Sequence, residues 1–183
     1  AANDKSGFSV SMSSDGNIVA IGSPRNDGVA LDAGHVRVFE DVNGTWVQIG
    51  QDIDGESLDD ESGYSVSLSA NGSIVAIGAP GNNGYAGHVS VYENNNGNWV
   101  QIGQDLNGNS NAYCGRSVSL SSNGHILAVG CPGNNNSTGE TRLYNWNGTA
   151  WNLLGSPIDG EAAGDQSGNS VSLSSDGNTV AIG

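Results

Sequence analysis

The sequence predicts an all-β fold built from repeated four-stranded antiparallel units, and three observations predict it. First, the stretch that opens Gly63-Tyr64-Ser65-Val66-Ser67-Leu68 and closes Val75-Ala76-Ile77-Gly78-Ala79-Pro80 is written again from Gly7, Gly115 and Gly168, at spacings of 56, 52 and 53 residues. A period in that range marks a propeller, a solenoid or an array. Second, glycine supplies 29 of 183 residues, while Val and Ile fall in short runs of the kind that suits strands. Third, turn chemistry recurs at fixed places in each unit. No helix is expected.

In the first unit the strands are expected at residues 8–13, 17–22, 35–40 and 46–51. Ser14-Asp15-Gly16 and its counterparts Ala70-Asn71-Gly72, Ser122-Asn123-Gly124 and Ser175-Asp176-Gly177 suit a three-residue hairpin loop with a left-handed glycine. Asn43-Gly44, Asn96-Gly97 and Asn147-Gly148 are two-residue hairpin signals between strands three and four. If Ser13 lies opposite Asn17, Val10 faces Ala20 and Met12 faces Ile18. The second strand is apolar on both faces, as expected of a strand between two neighbouring sheets, and small Ser, Ala and Gly side chains permit close approach. Trp46-Val47-Gln48-Ile49 and Trp99-Val100-Gln101-Ile102 alternate as a half-exposed outer strand does. The tryptophans there are expected to pack on the blade edge.

Four antiparallel strands per unit, with the innermost buried on both faces, describe a β-propeller blade. The blades span residues 7–62, 63–114 and 115–167, with the first hairpin of a fourth at 168–183. Both ends cut a repeat in half, so the chain reads as a window on a longer array, either a larger propeller or units stacked in a fibre.

The runs Gly7-Phe8-Ser9-Val10, Val75-Ala76-Ile77-Gly78-Ala79-Pro80 and Gly87-His88-Val89-Ser90-Val91-Tyr92 resemble the FG-GAP repeat of integrin α-subunit-type propellers. The resemblance covers essentially the whole chain, and it implies a secreted repeat protein. It departs at one functional place. Calcium-binding members carry an extended Asp-x-Asp-x-Asp-Gly loop in the first hairpin, and Ser14-Asp15-Gly16 is too short to wrap an ion.

Nineteen acidic against five basic residues give a net charge of −14, which repels phosphate backbones and anionic lipid headgroups. Nucleic acid is therefore not an expected partner. No apolar run approaches 18 residues, so no membrane insertion is expected either.

The candidate metal ligands lie in the connections between blades. Asp52, Asp54, Glu56 and Asp60 fall within a run of six carboxylates in ten residues, and Asp159, Glu161 and Asp165 repeat the pattern before the fourth unit. Calcium takes six to eight oxygens, which such a loop could offer; the competing reading is a solvated acidic loop. His35 and His88 are equivalent but sit on different blades, so they are not expected to form a site. Cys114 and Cys131 depart together from Ser and Ala in the other units. They form either a disulfide, which implies an oxidising compartment, or a pair of small buried thiols. Sequons begin at Asn43, Asn71, Asn135, Asn136 and Asn147, all in turns or loops.

These features point to a non-enzymatic extracellular or cell-surface module that recognises protein or glycan through loops 25–33, 81–86 and 133–138, which differ between units. A structural subunit that self-associates into a filament is the alternative. A carbohydrate-active enzyme is a third reading.

Overall fold

The computed structural model describes residues 3–183. Blade 1 comprises β1 (Ser9–Met12), β2 (Ile18–Ser23), β3 (His35–Val42), β4 (Thr45–Gln48) and β5 (Ile53–Asp54). Blade 2 repeats it as β6 (Ser65–Leu68), β7 (Ile74–Ala79), β8 (His88–Asn95), β9 (Asn98–Gln101) and β10 (Leu106–Asn107). Blade 3 follows with β11 (Ser117–Leu120), β12 (Ile126–Cys131), β13 (Glu140–Trp146), β14 (Trp151–Leu153) and β15 (Ile158–Asp159). A last hairpin pairs β16 (Val171–Leu173) with β17 (Val180–Ile182).

The strands within a blade pair antiparallel, and one isolated parallel bridge closes each blade, Gly34 to Ser62, Gly87 to Cys114 and Gly139 to Ser167. The expected single outer strand is broken into two pieces: β4 pairs with one half of β3 and β5 with the other. Gly50, at φ +73°, sits at the break. One expectation about the helices is also corrected. Asn82–Tyr85 and Asn134–Ser137 form single turns, each with left-handed residues inside.

The register of the first hairpin differs by one residue from the expected one, because the turn takes four residues rather than three. Ser13 donates its N–H to the Ile18 carbonyl (2.8 Å), so Val10 faces Ile21 and Met12 faces Val19. The Ser13 hydroxyl closes this turn, donating to Asp15 Oδ1 (2.6 Å) and accepting from the Ile18 N–H (2.9 Å). Asn71, Asn123 and Asp176 play the same part in the later units. Hydrogen bonds from the Ser13 hydroxyl and the Asn17 backbone N–H hold the Asp15 carboxyl below its ordinary range. The aspartate or asparagine of this motif is thus a turn brace.

The corrected register places Ser9, Ser11, Ala20 and Gly22 on one face of the hairpin, and this small face docks on the next blade. Ser9 Oγ donates to the Gly63 carbonyl (2.7 Å), and Ser11 Oγ accepts from the Leu68 N–H (2.9 Å). Ser65 and Ser67 repeat the clamp onto Gly115 and Leu120, and Ser117 and Ser119 onto Gly168 and Leu173. The hairpin tips are linked as well: Ser14 N–H donates to Ala70 O, Ala70 N–H to Ser122 O and Ser122 N–H to Ser175 O, at 2.8–2.9 Å. First strands pack on one another from blade to blade, β1 on β6, β6 on β11 and β11 on β16.

The apolar core lies between the sheets. Val75 and Ile77 of β7 face blade 1, joining Val36, Val38 and Ile53. Ile74 and Ala76 face blade 3, joining Leu120, Leu127 and Val129. This is why the second strand is apolar on both faces. Trp99 and Trp151 are buried, each donating its indole N–H to the preceding blade, to Ile49 O (2.9 Å) and Ile102 O (3.0 Å). Trp46, expected to pack likewise, is 47% exposed, and no described blade lies on its side.

Cys114 and Cys131 form a disulfide. It closes a 17-residue separation, for which the loop-entropy relation gives about 3 kcal/mol. The equivalent positions in other blades hold together without sulfur, so the Cys114→Ser/Cys131→Ser variant should fold. It should unfold at lower denaturant by that amount, with reductant lowering the wild type to match and leaving the variant unchanged.

Candidate functional site

The face on which each first strand begins carries side chains that differ from blade to blade. Two equivalent sets lie there: Lys5, Glu61, Tyr113 and Gln166, and Phe8, Tyr64, Arg116 and Asn169. All four members of the first set are left-handed, at φ +54°, +55°, +53° and +56°. Glycine is the residue such a conformation ordinarily takes, and non-glycine outliers gather where function compensates for strain. This backbone is held by the loop between the second and third strands. Glu61 N–H donates to Asp32 O (3.0 Å), Tyr113 N–H to Tyr85 O (2.9 Å) and Gln166 N–H to Ser137 O (2.8 Å).

The second set forms a row across the blades. Lys5 Nζ lies 5.6 Å from the centroid of Phe8, Phe8 and Tyr64 are 4.8 Å apart, and the Arg116 guanidinium lies 4.8 Å from the Tyr64 ring. Arg116 Nε donates to Asn169 Oδ1 (3.3 Å). Tyr85 and Tyr113 pair at 5.2 Å beside them. Between blade 3 and the last hairpin opens a cleft of about 410 Å³, lined by Tyr113, Arg116, Gly133, Ser137, Gln166 and Asn169.

Cations and carboxylates meet on this face. Of five basic residues, Lys5, Arg25 and Arg116 all act on Glu61. Burial pushes the Glu61 carboxyl above its ordinary range, and those three cations pull it back.

The seven acidic candidates do not converge on one ion. Asp60 is almost fully buried, and its carboxylate accepts from the Glu56 N–H (3.1 Å), the Ser57 N–H (2.8 Å) and Asn82 Nδ2 (3.0 Å). It is an internal brace of the connection. Asp165 accepts from the Ala162 N–H (2.7 Å) in a similar way, Asp159 lies opposite Glu140 in the sheet, and Glu161 is exposed. Asp52 and Asp54 instead gather around His35, and Glu56 joins His88 and Asp105. The two histidines stay on separate blades and share no site; each has carboxylates in its own neighbourhood, Asp52 and Asp54 for His35 and Asp105 and Glu56 for His88. Burial lowers the His35 pKa, against the pull of Asp52. All five sequon asparagines are exposed, and Asn71 and Asn147 have their side-chain oxygens engaged within their own turns.

No protein-family model matches the chain, and no curated protein matches it in sequence. Solved structures do match in shape. A 6-phosphogluconolactonase candidate from Bacteroides uniformis superposes with TM-score 0.64 at 14% identity, over 95% of this chain and 46% of that one. The periplasmic gluconolactonase PpgL of Pseudomonas aeruginosa gives 0.60 at 18% identity, over 95% and 48%. TolB from Acinetobacter baumannii gives 0.56 at 15% identity, over 97% and 37%.

The fold is a β-propeller array. The chain spans less than half the length of each of these proteins. The expectation of a non-enzymatic module is overturned, since proteins of the same architecture bear the names of lactonases. The disulfide is consistent with a non-cytoplasmic location.

Proposed function

We propose that this chain is the ligand-recognition segment of an extracellular or cell-surface β-propeller, and that it takes an acidic saccharide on the face where the first strands begin. The observation that carries this reading is the set of four equivalent left-handed positions that display Lys5, Glu61, Tyr113 and Gln166. A scaffold that repeats its architecture so closely would place glycine there, and here the position bears four different functional groups. Tyr85 and Tyr113 offer ring faces to a sugar, Gln166, Asn169 and Ser137 offer hydrogen bonds, and Arg116 offers the planar fork that suits a carboxylate. Arg116 at the cleft, with Lys5 and Arg25 offsetting Glu61 nearby, favours an anionic ligand.

The test is calorimetric titration of the purified chain with matched neutral and uronate-bearing oligosaccharides. The acidic series should bind, and Arg116→Ala should weaken it by roughly tenfold to a hundredfold, the worth of a hydrogen bond to a charged group. Equal binding of both series, or binding indifferent to Arg116, would sink the proposal. Incubation with aldonolactones supplies a second arm. Turnover that disappears in Glu61→Gln would replace recognition by hydrolysis at the same cleft.

A further inference from the structure

The geometry points to two binding centres for a divalent transition metal of the zinc class at equivalent histidines, one formed by His35, Asp52 and Asp54 and the other by His88, Asp105 and Glu56. In the second, Asn107 stands where blade 1 has Asp54, and the connection after blade 1 supplies the third donor. In the first, His35 Nδ1 lies 3.6 Å from Asp52 Oδ2 and 3.9 Å from Asp54 Oδ1. An ion held tetrahedrally about 2.0–2.2 Å from nitrogen and oxygen donors sets those donors about 3.4 Å apart, so small side-chain adjustments bring these three into place. In the second centre, as in the first, the potential donor atoms lie within 4.8 Å of one another.

Three further observations separate these groups from acidic clusters of the solvated kind. Both imidazoles are buried, at 7% and 5% exposure, while carboxylates stand at the rim. The carboxylate in each group is oriented from behind. Gln48 Nε2 donates to Asp52 Oδ1 and Gln101 Nε2 to Asp105 Oδ1, both at 2.6 Å, which leaves the other oxygen for a ligand's role. Such outer hydrogen bonds fix the geometry of metal ligands.

The third blade supplies the contrast, because there the histidine, the Asp52/Asp105 position and the glutamine behind it change together, while Asp159 keeps the position of Asp54. Glu140 stands in place of the histidine, Pro157 in place of the aspartate and Leu153 in place of the glutamine. The position is filled by a side chain of the protein itself, with Arg142 Nε donating to Glu140 Oε1 (2.6 Å) and Arg142 Nη1 to Asn107 O (3.0 Å). The first blade carries Arg37 at the position of Arg142, so the change from imidazole to carboxylate, and not the arginine, is what sets the third blade apart. One nitrogen and two oxygen donors favour zinc-class ions over calcium, which calls for more oxygens. Three protein donors leave a coordination position open to water.

The experiment uses the tag-free 183-residue chain, stripped with chelator and titrated calorimetrically with Zn²⁺, with Co²⁺ absorption as an independent report of the ligand field. About two ions should bind per chain. His35→Gln and His88→Gln should each leave one, and the double variant none. Should a histidine variant fail to fold by circular dichroism, Asp52→Asn and Asp105→Asn are decisive. Each should weaken one site at least tenfold without moving the melting temperature. Absence of binding, a stoichiometry indifferent to all four substitutions, or displacement of Zn²⁺ by equimolar Ca²⁺ would overturn the assignment.

Discussion

Gly78→Ala should destabilise the protein by at least about 3 kcal/mol, the upper part of the range for overpacking. A methyl group at this position would fall onto the carbonyl oxygen of Gly115, the first glycine of the next blade, and onto the Ser65 hydroxyl that bonds to it. Neither obstacle can turn aside. The carbonyl belongs to backbone fixed on both sides, and moving Ser65 surrenders its hydrogen bond to the same oxygen. Blades 2 and 3 would have to separate, exposing apolar surface that only their contact buries. Chemical denaturation monitored by tryptophan fluorescence measures the loss, and Gly84→Ala is the control. Gly84, unlike Gly78, is left-handed, and it has nothing within 4 Å, so alanine there should lose only the left-handed backbone cost of about 1–2 kcal/mol. Equal effects would show that the close approach is not what the glycine is for.

Trp99→Ala should cost about 3–5 kcal/mol, as large-to-small substitution of a buried aromatic does. The indole is 4% exposed and packs with Ile49, Val75 and Ile77 between blades 1 and 2. Its removal also leaves the Ile49 carbonyl without its donor. The neighbouring contact should survive in part, because Gln51 acts as a second tie: its amide donates to the Trp99 carbonyl (2.9 Å) and accepts from the Trp99 N–H (3.3 Å), both backbone groups. Trp46→Ala, at an exposed equivalent position, should change the unfolding midpoint little. Comparison of the two midpoints by denaturant titration tests the assignment of the indole to the blade junction.

The repeat itself made the architecture readable. Strand two advertises its two buried faces through the run Ile74-Val75-Ala76-Ile77, and the joint change at Cys114 and Cys131 announces the disulfide. What the residues concealed depends on geometry without a local signature. A left-handed glycine is a familiar sequence signal, whereas left-handed Lys5, Glu61, Tyr113 and Gln166 break the rule that would locate them. The grouping of His35 with Asp52 and Asp54 needs the register of β3 against β5, and that register follows from the break at Gly50. The one-residue error in the first hairpin has a similar origin, since the Ser13 hydroxyl extends the turn by a residue that the Ser-Asp-Gly pattern does not reveal. Asp60 shows the converse: its charge suggested a ligand, and its burial makes it a brace.

The bonds that join the hairpin tips all run in one direction along the array. Each tip from Ser14 through Ala70 to Ser122 gives its N–H forward and, after the first, receives through its carbonyl from behind. A blade between two others is therefore held by both neighbours, so stability belongs to the junctions as much as to the blades. A lesion at one junction weakens the two sheets that meet there and is passed no further than their next contacts. This compartmentation leaves the faces of individual blades free to diverge, as Lys5, Glu61, Tyr113 and Gln166 have done, while the glycine and serine clamps beneath them stay the same.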